Sequence, residues 1–320
     1  MRFARFVWAV LAYDVLVVLW GAYVRASFSG DGCGRHWPLC NGEIVPHAEQ
    51  TKTIVEYSHR VSSGLTLVLS IVVFVWAMRA FAKGSAVRLG AALGLAFTVS
   101  EALIGAGLVL LRLVAHDVSI RRAISTSLHL GNTFLLLASL TVTGLWAMGS
   151  PRVKLRGQGW LGWLAVLALL GVLVVGASGS IAALGDTLFP SRTLAEGFAQ
   201  DLSPAAHAFV RLRSLHPFIA IGSGVLVLAL ASFAPAARSG EQVRRFARAV
   251  AISYFVQLGL GALNVTLLAP LWMQTLHLLS ADVVWVLLVC LAASALADGE
   301  ATEIVSASPR AETSAARPAP

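Results

Sequence analysis

Charge is what this sequence has least of. Only 12% of its 320 residues are Asp, Glu, Lys or Arg, against 57% hydrophobic, and the mean hydropathy is +0.77. A soluble globular domain carries about 25% charged residues, so the shortage excludes one. The net charge of +8 comes from cations scattered through the connections between apolar runs, and without a basic domain or stripe there is no nucleic-acid footprint. Residues 298–320 lack aromatics and are rich in Ala, Pro, Ser and Glu. Such a segment buries too little surface to fold, which predicts a disordered cytoplasmic tail.

What the chain does have is apolar runs, near 6–26, 55–78, 89–111, 122–147, 159–180, 205–232, 246–268 and 271–296. Each approaches the roughly 20 residues that cross a bilayer. Lipid offers a backbone no hydrogen bonds, so runs this long and apolar are helical. The expectation is an all-α integral membrane protein with eight transmembrane helices. Fourteen of the 24 Lys and Arg fall at the N-terminus, after the second, fourth and sixth runs, and in the tail. By the positive-inside rule both termini are cytoplasmic, in a cell membrane. The first run, flanked by Arg2 and Arg5, is too long for a signal peptide and lacks a clear small-residue cleavage site, so it is read as a retained helix.

The two halves match each other in order. Gly21-Ala22 and Gly30-Asp31 fall on Gly176-Ala177 and Gly185-Asp186, and His59 falls on His216. Glu101, Gly105 and Ala106 fall on Gln257, Gly261 and Ala262. Ser127-Leu128-His129-Leu130 falls on Thr275-Leu276-His277-Leu278 at a shorter spacing, as a trimmed outer loop would give. Leu matches carry little weight; polar matches in register do. Four spans followed by four in the same in-out sense form a parallel tandem repeat, predicting two pseudo-symmetric four-helix bundles, residues 1–150 and 151–297.

Ionisable groups inside a membrane are costly and mark function by default. His59, His129, His216 and His277 lie near the starts of the second, fourth, sixth and eighth runs, at one depth toward the outer leaflet. Two facing spans in each half thus present one imidazole each across the bundle interior, which is how axial ligands meet a haem iron. A bare Zn or Cu site needs three or four donors close together, so two haem sites are expected, one per half. His36, His47, His116 and His207 fall in loops or at a span's mouth and read as solvated.

Within EYSHR, Glu56 shares a helical face with His59 one turn outward, and Arg60 stands where a guanidinium grips a haem propionate. The second half has Arg213 and Pro217 at the corresponding places. An acid beside the iron suits proton delivery, so catalysis is assigned to the first half, with Glu56, His59 and His129, and a permanent haem to the second, with His216 and His277. Pro217 is expected to kink or loosen its helix. Of three cysteines, Cys33 and Cys40 share the first outer loop. A disulfide, a metal site with His36 and His47 and a thiol–disulfide exchange pair all remain open. Cys290 reads as an apolar packer. Asp14, Glu101, Asn132, Gln257, Asn264 and Asp282 are read as packing or relay groups between helices.

The run GAYVRASFSGDGCGRHWPLCNG, then EYSHRVSSG, then one histidine in each of three later even spans, resembles haem A synthase over residues 1–296, in the bacterial subclass with a cysteine pair in the first outer loop. The resemblance implies an oxidoreductase. It oxidises the C8 methyl of haem O to the formyl of haem A by two O2-dependent hydroxylations and loss of water. It implies haem O near His59 and His129, haem b on His216 and His277, a functional carboxylate at Glu56, and a loop pair at Cys33 and Cys40. A haem O synthase would supply substrate, cytochrome c oxidase would receive product, and quinol or another donor would supply electrons. The alternatives are a diheme cytochrome b-type electron-transfer subunit and a haem transporter or chaperone.

Overall fold

A computed structural model describes residues 1–47, 50–154 and 156–297; the expected tail, 298–320, lies outside them. Ten helices and no strands occur among the described residues: α1 (Arg2–Ala26), α2 (Thr51–Ala80), α3 (Ala86–Leu110), α4 (Ile120–Ala147), α5 (Gly159–Leu188), α6 (Leu194–Leu202), α7 (Ala208–Arg213), α8 (His216–Ala237), α9 (Glu241–Thr266) and α10 (Leu271–Ala295). Eight segments, with α7 and α8 as one, are long and apolar enough to cross a membrane. They agree with the eight runs read from the sequence, each end within a few residues, except that α5 runs on to Leu188.

Local chemistry sets several ends. Ser85 and Ser119 accept from the backbone N–H of Arg88 and Arg122, satisfying donors that a helix start leaves free. The sixth span is broken at Ser214–Leu215. Pro217 has no N–H to give the preceding turn, so α7 ends and α8 starts afresh with His216 first and proline second, where the missing donor costs nothing. The loosening expected at Pro217 is thus a full interruption. The apolar pattern does not anticipate the short α6. Its Thr193 accepts from Glu196 N–H at 3.2 Å while Glu196 accepts from Arg192 N–H at 2.8 Å, a close variant of the reciprocal cap.

α1–α4 pack on one another, as do α5 and α8–α10, and α4 packs on α5 as well. α3 packs on α4, α9 on α10 and α5 on α8, and the first four spans meet the last four where α4, one of the two most buried spans, packs on α5 and on α10, the other. There Phe134 and Trp285 stack with centroids 5.1 Å apart, and the Trp285 indole N–H donates to Phe134 O at 2.6 Å. Arg25 crosses the same seam, donating to Ala183 O, Thr187 Oγ1 and Gln274 Oε1. Ser127 joins α4 to α5 through Ser180 and Ala177 O. Outward faces carry Trp163, Phe218, Val225 and Ile252 exposed, an apolar surface suited to lipid.

Candidate functional site

Each of the four histidines lies on a glycine of the span before it. A Cβ built on Gly21 would come 3.0 Å from His59 Cε1, on Gly105 3.6 Å from His129 Nε2, on Gly179 3.0 Å from His216 Cε1, and on Gly261 3.1 Å from His277 Cε1. Glycine leaves room for a ring against the helix backbone. One kind of contact thus recurs four times along the chain. It also moves one correspondence: the glycine facing His216 is Gly179, while Gly176, aligned with Gly21 by sequence, faces Phe134. Three residues is nearly one helical turn, so both glycines keep to one side of α5.

In the second half the His216 and His277 rings face each other with centroids 6.5 Å apart and planes at 88°. Two metal–imidazole bonds of about 2.0–2.1 Å and two ring radii fill that separation. His216 Nδ1 meets Ser178 Oγ at 2.9 Å, the kind of partner that orients a ligand ring and leaves the other nitrogen for metal. Gln257 Nε2 approaches His277 Nε2 at 3.3 Å, and His277 Nδ1 is buried without a partner.

In the first half, the buried Nδ1 of His59 has no partner. Ser62 and Ser63 donate to His59 O, fastening their hydroxyls to its own turn. His129 Nδ1 stands 2.6 Å from Glu101 Oε1. The two atoms are in close contact, though the approach is off the line of a hydrogen bond. Glu101 is itself held: Thr133 Oγ1 donates to Oε1 and Asn132 Nδ2 to Oε2, each at 2.5 Å. Asn132 also donates to Phe97 O and accepts from Ser100 Oγ. The sequence reading places Glu101 among packing or relay groups. The available signal was its spacing to a ring-bearing glycine: Glu101 precedes Gly105 by the same interval as Gln257 precedes Gly261.

Glu56 sits one turn nearer the start of α2 than His59, but both its oxygens are occupied. Cys33 N–H donates to Oε2 at 2.7 Å, and Arg60 donates to Oε1 through Nε at 3.1 Å and Nη2 at 2.5 Å. Arg60 Nη1 reaches His36 O and Leu39 O, so the guanidinium expected on a propionate is engaged here with the loop. Cys33 and Cys40 are joined in a disulfide, which replaces the alternative of a metal held with His36 and His47; His47 instead meets the exposed Glu43, whose carboxyl it holds below its ordinary range by hydrogen bonding. Thr53 donates to Gly32 O at 2.8 Å, and a Cβ on Gly32 would collide with Lys52 O, so the loop is pressed onto the start of α2.

Arg213, the residue aligned with Glu56, does a comparable job with opposite charge. It donates to Asp201 at 2.7 Å and Asp186 at 3.3 Å, fixing the α6 segment to the second bundle. Of the other intramembrane groups, Asp14 accepts from Thr66 at 3.0 Å, Asp282 is fully buried with neither oxygen partnered, and Cys290 packs with Leu145 and Ala293 as anticipated. Among the described residues no three or more His, Cys, Asp or Glu gather as a metal cluster. The facing imidazoles of His216 and His277 suit an iron that brings its own equatorial ligands, with a flat macrocycle between helices.

Residues 4–289 match the COX15-CtaA family, described as cytochrome oxidase assembly protein. A Thermus thermophilus protein named protoheme IX farnesyltransferase is 48% identical over 298 residues, covering 93% of this chain and 49% of that protein. Shorter matches include heme A synthases of Halalkalibacterium halodurans, 41% identical over 95 residues (30% of this chain, 32% of that one), and Exiguobacterium sibiricum, 31% over 134 residues (42% of each). The chain spans about half or less of the length of these curated relatives. With a family match running almost from end to end and eight apolar helices beneath it, this multi-pass membrane chain belongs to the COX15-CtaA family of cytochrome oxidase assembly proteins.

Proposed function

We propose that the chain is a haem A synthase, oxidising the C8 methyl of haem O to a formyl group by successive O2-dependent hydroxylations. The observation that carries this reading is the fourfold histidine-on-glycine contact, two per bundle, within a family that includes proteins named heme A synthase. His216 and His277 hold a resident haem b, and His59 and His129 hold the iron of haem O. Bound iron supplies the oxidising chemistry that side chains lack. The chain's residues orient the macrocycle, and its buried walls keep water from the reacting methyl.

The halves differ in two ways that favour an enzyme over a symmetric carrier. A carboxylate, Glu101, touches a histidine in the first half, with Gln257 in its place in the second; and a disulfide-closed loop is bound to the first bundle alone. Both termini are assigned to the cytoplasm and the cysteine loop to the outside. The farnesyltransferase name of the Thermus relative belongs to a chain about twice as long. Farnesyl transfer to protohaem yields the haem O type of substrate, which supports a haem O synthase as upstream partner. Cytochrome c oxidase is the recipient and quinol the donor class.

The test is expression with a haem O supply under air, then haem extraction and mass analysis. Hydroxylated and formyl haems are the expected products. Two intact haem b with neither product would establish the diheme electron carrier instead, and unmodified haem passed on to an acceptor would establish a transporter.

A further inference from the structure

Among the described residues, Glu101 is the one carboxylate in contact with a proposed iron ligand. It comes from α3 to His129 on α4, and its two oxygens take Thr133 and Asn132, while Asn132 is braced by Ser100 and Phe97 O. The acid is therefore fixed from several directions. Its 2.6 Å contact is to Nδ1, which leaves Nε2 on the side of the ring that faces Gly105.

The second half lacks this device. Gln257 aligns with Glu101 but approaches Nε2 of His277, not Nδ1, and the Nδ1 partner of His216 is the neutral hydroxyl of Ser178. A carboxylate behind a ligand imidazole fixes its tautomer and raises its basicity, while a hydroxyl or amide does so less. A more basic axial ligand stabilises the oxidised iron relative to the reduced.

We propose that Glu101 is a positioning residue. It holds His129 with Nδ1–H directed at its carboxylate and Nε2 presented to the macrocycle, and so gives the first-half iron a more electron-rich ligand than either histidine of the second half receives. This rests on the reading of His129 as an iron ligand. It separates the two sites by ligand chemistry in addition to their different outer loops. Glu56, with both oxygens committed to the loop and Arg60, is left the role of seating that loop.

The test uses the full chain in detergent or nanodiscs, loaded with haem b in the second half and haem O in the first, and follows each haem by redox titration and low-temperature EPR. In Glu101→Gln the first-half midpoint moves to higher potential with an altered low-spin signal. First-half haem affinity falls about 10–100-fold, the usual cost of losing such a partner, and the second-half haem is unchanged. Asn132→Ala and Thr133→Val, which loosen the acid without removing it, shift the same midpoint in the same direction by less, and Glu101→Asp restores part of the Glu101→Gln loss. Unchanged midpoint, signal and affinity in Glu101→Gln would overturn the proposal. So would equal shifts at both haems. A wild-type chain that binds no haem would sink the functional reading itself, a distinct result.

Discussion

The Cys33 amide donates to the Glu56 carboxylate at 2.7 Å, so one buried acid locks the disulfide loop to the second span. The same acid neutralises Arg60, whose side chain is only 12% exposed. Glu56→Ala strips both partners at once. Removing one member of a buried ion pair costs about 3–5 kcal/mol, and the lower end applies because Arg60 retains two loop carbonyls. Product formation is expected to stop while the second-half haem stays bound. Haem quantitation beside product analysis checks this, and joint loss of haem and activity would contradict the division between halves.

Gly21 and Gly179 each abut one ring, and a valine at either position drives its side chain into that ring. Gly21→Val is expected to abolish haem binding in the first half only, and Gly179→Val in the second only. Absorbance spectra of each half's haem after purification decide it; if either variant empties both sites, the bundles do not work as separate pockets.

The Cys33–Cys40 bridge closes a short ring. By chain-entropy reasoning such a closure contributes about 2–3 kcal/mol, acting here on the loop rather than on the bundle. Reduction, or Cys33→Ser with Cys40→Ser, is expected to expose the loop to limited proteolysis while the spans and the second-half haem persist. Unchanged protease protection would show that Glu56 and Arg60 hold the loop without the bridge.

Asp282 is fully buried and neither oxygen has a partner. A buried polar group left unsatisfied costs about 1–3 kcal/mol. Asp282→Thr is nearly the same size, and its hydroxyl is able to donate to the carbonyl one turn back in α10. Thermal stability is expected to rise by an amount in that range; a fall would point to a partner for Asp282 in the loaded protein.

The spans and the four histidines are legible in the sequence because both signals are local. An apolar run reports burial in lipid, and an ionisable residue inside one stands out against it. Glu101 is less legible, because the intramembrane polar groups look alike until α3 and α4 are brought together. The exchange of Gly176 for Gly179 against His216 has a similar origin. Residue identity aligns a Gly-Ala pair, but a ring selects its neighbour by helix phase and by the restart of α8 at His216. Glu56 shows the limit of face arguments. It does share a side of α2 with His59, yet the loop folded over that side, invisible in the helical pattern, takes up its oxygens. The cap at Thr193 and Glu196 is a readable sign of α6 that an apolar-run reading passes over.

The stack of Phe134 on Trp285 ties two histidine-bearing helices directly to each other: His129 lies five positions before Phe134, and His277 eight before Trp285. The first-half and second-half histidines consequently sit on helices that share one packed seam. Two matching sets of helices are thus pinned to each other at a buried point, by a directional bond that an apolar face alone would not supply.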